Sequence, residues 1–82
     1  MLTFGERLAV LRRRKGLTQQ EVADQAAITA NTLARVERGR VKMLRGDTVA
    51  ALADVLGTTT DYLLGRTEES GVESEWEPAA VA

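Results

Sequence analysis

Proton transfer, nucleophilic attack and soft-metal binding call for side chains that this sequence largely lacks. It contains no His and no Cys. Ser-His-Asp and Cys-His catalysis are therefore excluded, because both need an imidazole to take the proton. Disulfides are excluded as well, and zinc loses its two preferred soft ligands. The only serines, Ser70 and Ser74, fall in a C-terminal segment of tail-like composition. The remaining acids would have to work by carboxylate-only chemistry, and no pair of them reads as sharing a cleft. What the chain does carry is 11 Lys and Arg, with Asn, Gln and Thr among them. Such side chains hydrogen-bond anions and polar edges. Neither an enzyme nor a metal or cofactor site is expected.

Eighty-two residues allow one compact domain plus a tail. A composition of 44% hydrophobic and 28% charged residues suits a soluble globular fold, with no apolar run near the roughly 20 residues that span a bilayer. The start, Met1 to Glu6, lacks a basic end and an apolar block, so no signal peptide is expected. The net charge of −1 counts at first against nucleic acid. It hides a division. Residues 1–66 hold all eleven bases against seven acids, a net +4, whereas residues 67–82 hold Glu68, Glu69, Glu73, Glu75 and Glu77 with no base, a net −5. The expected organisation is a folded domain over 1–66 and an acidic disordered tail over 67–82. Apart from Val72, Trp76 and Val81, that tail has too little large or branched apolar surface to offset its ordering entropy.

Five helices are predicted to position the polar groups. Thr3 and Glu6 have capping-box spacing, and Phe4, Leu8 and Leu11 mark an apolar face that ends at Arg12 to Lys15, with Gly16 as the stop. Thr18 and Glu21 open a second, short helix from about Gln19 to Ala26, too short to persist alone in water. Ile28 reads as a buried plug and Thr29 as the N-cap of a third helix over about Ala30 to Arg38, closed by Gly39. In that helix Leu33 and Val36 face inward, while Asn31, Thr32, Arg35 and Arg38 face elsewhere. A basic loop follows, with Val41, Met43 and Leu44 available to pin it. Asp47 is the expected cap of a fourth helix with apolar Val49, Leu52, Ala53, Val55 and Leu56, and a short fifth runs from Asp61 to Leu64. No strand pattern and no repeat is visible.

A short capped helix, a tight turn at Ala27 and Ile28, and a second helix opening on small polar residues are the parts of a helix-turn-helix. Its second helix enters the DNA major groove by its N-terminal residues. The run TQQEVADQAAITANTLARVERG followed by LADVLGTTTDYLLG resembles the phage-repressor and Cro-type helix-turn-helix (XRE) family over roughly Phe4 to Gly65. The elements LTQxxVA, I-x-x-x-T-L-x-R-x-E-x-G and D-Y-L-L-G are specific in combination. The resemblance implies an all-α, compact five-helix lambda-repressor-like domain. Two departures stand out. Ala27 replaces the usual turn Gly, at a cost of about 1 kcal/mol if its φ is positive. The loop after Gly39 lacks the usual Pro and is slightly long.

Residue by residue, the resemblance assigns base reading to Ala30, Asn31 and Arg35, flanked by Thr29 and Thr32. Asn can pair bidentately with adenine, Arg with guanine, and Ala or a Thr methyl can meet the thymine methyl. Thr18 and Gln19 match the phosphate clamp at the start of the second helix, and Arg38, Arg40, Lys42 and Arg45 could hold the backbone on the far side. Arg12 and Glu37 match a structural ion pair between the first and third helices, the preferred reading over DNA contact. Thr18 is a cap before it is a phosphate contact. Arg13, Arg14 and Lys15 read equally well as solvated surface. Geometry implies a dimer, since one recognition helix reads only a few base pairs. Val55, Thr59, Tyr62, Leu63 and Leu64 form the candidate interface, with ordinary core packing as the alternative.

These observations lead to an expected sequence-specific double-stranded-DNA-binding transcriptional regulator. It would be a repressor in the cytoplasm of a bacterium or encoded by a phage, dimeric on a palindromic operator and without membrane association. Two alternatives remain open on the same fold: a restriction–modification controller or antitoxin with a protein partner, and a protein-interaction module that does not bind DNA. For the tail, the choices are a solubilising end, a competitor for the basic surface, and a partner or protease tag using Trp76 or the small apolar C-terminus.

Overall fold

In the computed structural model the described residues are 2–67. Met1 and residues 68–82, and with them the expectation of a disordered tail, lie outside these. Five helices follow in order: α1 (Phe4–Arg14), α2 (Gln19–Gln25), α3 (Ala30–Glu37), α4 (Gly46–Leu56) and α5 (Thr60–Leu63). No strand occurs among the described residues.

Local chemistry sets the helix starts. Thr3 and Glu6 form a reciprocal capping box on α1, and Thr18 and Glu21 form another on α2. Thr29 and Thr59 cap α3 and α5 by accepting the N–H groups of Thr32 and Tyr62. The fourth start corrects the sequence reading. The helix opens at Gly46, one residue before the expected cap, and Arg45 occupies the N-cap without a side-chain bond. Asp47 lies within the first turn, where Oδ1 accepts the N–H of Thr48. Its charge still favours the positive helix end.

Each of these helices has a buried face. Leu8 and Leu11 of α1, Val22 of α2, Leu33 and Val36 of α3, Leu52 and Leu56 of α4, and Leu63 of α5 are almost completely removed from solvent. Full burial of one such side chain is worth roughly 1.5–3 kcal/mol. That exceeds what a seven-residue α2 or a four-residue α5 could supply from its own helical bonds. These two helices exist because the core holds them. α3 packs against α1 and α2, α4 against α1, α2 and α5, and α5 also reaches α1. Val41 and Leu44 pin the loop onto the core as expected. Met43 does not, and remains 49% exposed.

One contact determines how closely α1 and α3 approach. A Cβ on Gly5 would run into the carbonyl oxygen of Val36, and would sit 2.9 Å from the Val36 carbonyl carbon and 3.2 Å from Glu37 Cα. Gly5 is needed here for its lack of a side chain, since its φ is not positive.

Candidate nucleic-acid interface

The turn between α2 and α3 is held from three directions. Ala26 closes α2, Ala27 adopts φ +60°, and the N–H of Ile28 donates to the carbonyl of Ala23 at 3.0 Å. Ile28 also packs its side chain against the core. An alanine at this φ costs about 1 kcal/mol relative to glycine. The strain persists because the buried Ala26 before it, and the packing of Ile28 and capping by Thr29 after it, fix the backbone on both sides.

Thr29 Oγ1 accepts the N–H of Thr32 at 3.0 Å and bonds the Thr32 hydroxyl at 2.8 Å. The first turn of α3 is thereby bonded twice to its cap. Leu33 and Val36 sit on its inner face with no exposed surface. Asn31, Arg35 and Arg38, spaced by four and three residues, share the opposite face and are exposed. None of the three makes a side-chain hydrogen bond or ion pair with a described residue. Thr29 is exposed beside them, while Ala30 and Thr32 are half-buried. The arrangement presents an amide and two guanidinium groups outward from a helix whose other side is packed into the core.

The C-terminal end of α3 is gripped. Arg12 Nε and Nη2 donate to Glu37 Oε2 and Oε1 at 2.7 and 3.0 Å, a bidentate pair, and Arg12 Nη1 donates to the carbonyl of Leu17 at 2.9 Å. Glu37 Oε1 also accepts from Gln19 Nε2 at 2.9 Å. One carboxylate therefore joins α1, α2 and α3. The hydrogen bond to Glu37, reinforced by its charge, outweighs desolvation and raises the Arg12 pKa above its ordinary value. Gln19, assigned to a phosphate by resemblance, commits one amide N–H to this network and keeps the other. Thr18 commits its backbone N–H and its hydroxyl oxygen to the capping box.

Arg40, Lys42 and Arg45 are exposed on the loop leading to α4. Arg45 meets Asp47 at 3.3 Å, with 85% and 70% of their side chains exposed, so the pair contributes at most a fraction of a kcal/mol. Four exposed cations, Arg35, Arg38, Arg40 and Lys42, thus follow one another from the outer face of α3 into the loop. The candidate dimer surface needs one correction. Leu63 has no exposed surface and belongs to the core, because a side chain enclosed by its own domain cannot touch a partner. Thr59 and Leu64 are exposed, and Val55 and Tyr62 are half-buried.

Two residues escaped the sequence reading. Arg7 is only 2% exposed; its guanidinium carbon lies 4.5 Å from the Tyr62 ring centroid, and Nε donates to the Leu2 carbonyl at 3.3 Å. It ties α1 to α5. Its position between Phe4 and Leu11, at spacings of three and four, is the signal that places it on the inner face. Gly5 offers no comparable signal, since its role depends on a helix 31 residues away.

A sequence model described as "Helix-turn-helix domain" matches residues 3–64. The chain belongs to this family. Two regulators of Bacillus subtilis (strain 168) are similar in sequence to this helix-turn-helix domain. The HTH-type transcriptional regulator ImmR is 36% identical over 69 residues, covering 84% of this chain and 54% of ImmR. The SPbeta prophage-derived uncharacterized HTH-type transcriptional regulator YonR is 40% identical over 62 residues, covering 74% and 56%. The chain spans about half the length of these relatives. Among solved structures, the P22 c2 repressor protein in complex with synthetic operator 9T superposes with a TM-score of 0.73 at 23% identity, over 78% of this chain and 96% of that one. The fold is accordingly that of a lambda-repressor-like domain. The SinR protein/SinI protein complex gives a TM-score of 0.75 at 25% identity, over 96% and 76%. Among the described residues, no helix is long and apolar enough to cross a membrane.

Proposed function

We propose that this helix-turn-helix domain is a sequence-specific double-stranded-DNA-binding transcriptional repressor, acting in the cytoplasm as a dimer on a palindromic operator and not as an enzyme. The observation that carries this reading is the outer face of α3. Asn31 and Arg35 point away from a fully packed inner face, exposed and without partners among the described residues. An amide and a guanidinium held in this way have the donor geometry for adenine and guanine edges in the major groove. Thr29, Ala30 and Thr32 complete the reading surface. Arg38, Arg40, Lys42, Arg45, Thr18 and Gln19 supply the backbone contacts that fix register without reading sequence. Val55, Thr59, Tyr62 and Leu64 are the surface through which two copies would meet. The relatives' names as transcriptional regulators, and the P22 c2 repressor structure on an operator, support the same reading.

Selection of bound sequences from a random duplex pool tests it. A palindromic motif bound by two copies is expected. Arg35→Ala should relax preference at one base position of each half-site, while Arg40→Ala should weaken all sequences alike and make the salt dependence shallower. Failure of the full chain to bind any duplex at low salt would refute the reading, because even non-specific binding appears there. A protein partner, as in the SinR–SinI complex, is the second reading; co-purification of a defined partner without duplex binding would favour it.

A further inference from the structure

The cationic row on α3 continues past the end of the helix. Arg35, Arg38, Arg40 and Lys42 are exposed, and none forms an ion pair with a described residue. Four of the seven carboxylates in residues 1–66 are engaged elsewhere: Glu6 and Glu21 in capping boxes, Glu37 on Arg12, and Asp47 on Arg45. A row of neighbouring like charges attracts whatever anion is most concentrated nearby. The chain itself carries such an anion. Residues 68–82 contain Glu68, Glu69, Glu73, Glu75 and Glu77 and no base.

Beside the cations lies an apolar crevice of about 60 Å³, between the start of α1 and the end of α3, with Phe4, Val36, Val41 and Lys42 in its wall. Trp76 stands between Glu75 and Glu77. An aromatic ring flanked by carboxylates complements an apolar crevice with Lys42 in its wall. Fifteen residues reach at most about 50 Å when extended. The longest helices here, of 11 residues, measure about 16 Å. The segment can therefore reach any face of the domain, and a tether this short gives an effective concentration on the order of millimolar.

We infer that residues 68–82 are a tethered competitor for the DNA-facing cations. Their glutamates occupy the row from Arg35 to Lys42, with Trp76 across the crevice, until duplex DNA displaces them. This rests on the DNA-binding reading above and adds a regulation of the same surface. Non-specific binding is almost wholly phosphate electrostatics, so a competing anion suppresses it most. Specific sites add base contacts to Asn31 and Arg35 and overcome the competitor. The segment would thus sharpen the preference for operator over bulk DNA.

The test uses the full chain and its single tryptophan. Trp76 emission should be blue-shifted at low salt, independent of protein concentration, and should move to the red on adding salt or duplex DNA. Replacing Glu68, Glu69, Glu73, Glu75 and Glu77 by Gln should leave Trp76 solvent-exposed at all salt concentrations and raise affinity for random duplex about fivefold at low salt. The paired change Arg38→Gln and Lys42→Gln should release Trp76 equally, with the five glutamates intact. A wild-type Trp76 that is already water-exposed and unmoved by salt or DNA would overturn the inference even if affinity rises, because that rise would then be bulk charge alone. A blue shift that grows with protein concentration would overturn it in favour of a second copy. Absence of duplex binding by either chain would refute the DNA-binding reading instead, and the fluorescence would still report whether the segment docks.

Discussion

The two faces of α3 are made from the same eight residues and meet opposite demands. On the inner face Leu33 and Val36 are fully buried, and the backbone behind them lies so near α1 that Gly5 cannot carry a Cβ. On the outer face the side chains of Asn31, Arg35 and Arg38 are exposed and make no hydrogen bond or ion pair with a described residue. At the C-terminal end, the shared Glu37 carboxylate clamps the helix to α1 and α2. The difference fits the proposal that the outward side chains read a DNA surface. Their rotamers are open, but the axis that carries them is immobilised by contacts that have no polar freedom left. Substitutions on the inner side should therefore act on stability, and those on the outer side on binding alone.

The sharpest way to break this contrast is Gly5→Ala. Its Cβ would meet backbone, which cannot rotate away as a side chain can, and a loss of about 3 kcal/mol is expected, read as a large fall in Tm. Glu37→Ala comes next. It leaves the Arg12 guanidinium and the Gln19 amide without their acceptor in a largely buried position, for a loss of about 2 kcal/mol by denaturant titration. If either change leaves stability intact and alters only DNA affinity, the division between the faces is wrong. Arg35→Ala should cost about 1–2 kcal/mol of discrimination at one base, with Tm unchanged within a degree or two, measured by competition between operator variants. Ala27→Gly removes the left-handed strain but loosens the unfolded chain, so a net gain of about 0.5 kcal/mol is expected from thermal melts. The smallest effect concerns pH. The Arg12 pKa is raised by its bond to Glu37, so the stability it contributes is full below the ordinary arginine range and is lost only as pH rises above it. A melting series from neutral to moderately alkaline pH should accordingly show no loss traceable to this pair.

Much of the scaffold could be read from spacing. Thr3 with Glu6 and Thr18 with Glu21 are local pairs, and a capping box needs only residues three apart. The α4 start was misplaced because Asp47 is a good cap in general. Its boundary was decided by how the basic loop enters the domain, with Val41 and Leu44 packed beneath it. Leu63 and Leu64 are chemically identical neighbours on a four-residue helix, where periodicity has too few turns to separate core from surface. Arg7 defied the rule that charged residues face water, because Tyr62 supplies an aromatic face for its guanidinium. Within the candidate site, the outward row on α3 followed from helical period, whereas the engagement of Gln19 by Glu37 did not.

By itself, the sequence determined the helices, the caps of the first three, the charge division at Arg66 and the polar residues on the outer face of α3, because these depend on residues within a turn or two of each other. Tertiary structure decided what depends on distant partners: the need for Gly5, the burial of Arg7, the core role of Leu63, and the joining of three helices on one carboxylate. Contacts between residues 18 or more apart leave no period in a single chain. They arise only when packing brings together side chains that the core, and not the local backbone, has chosen as neighbours.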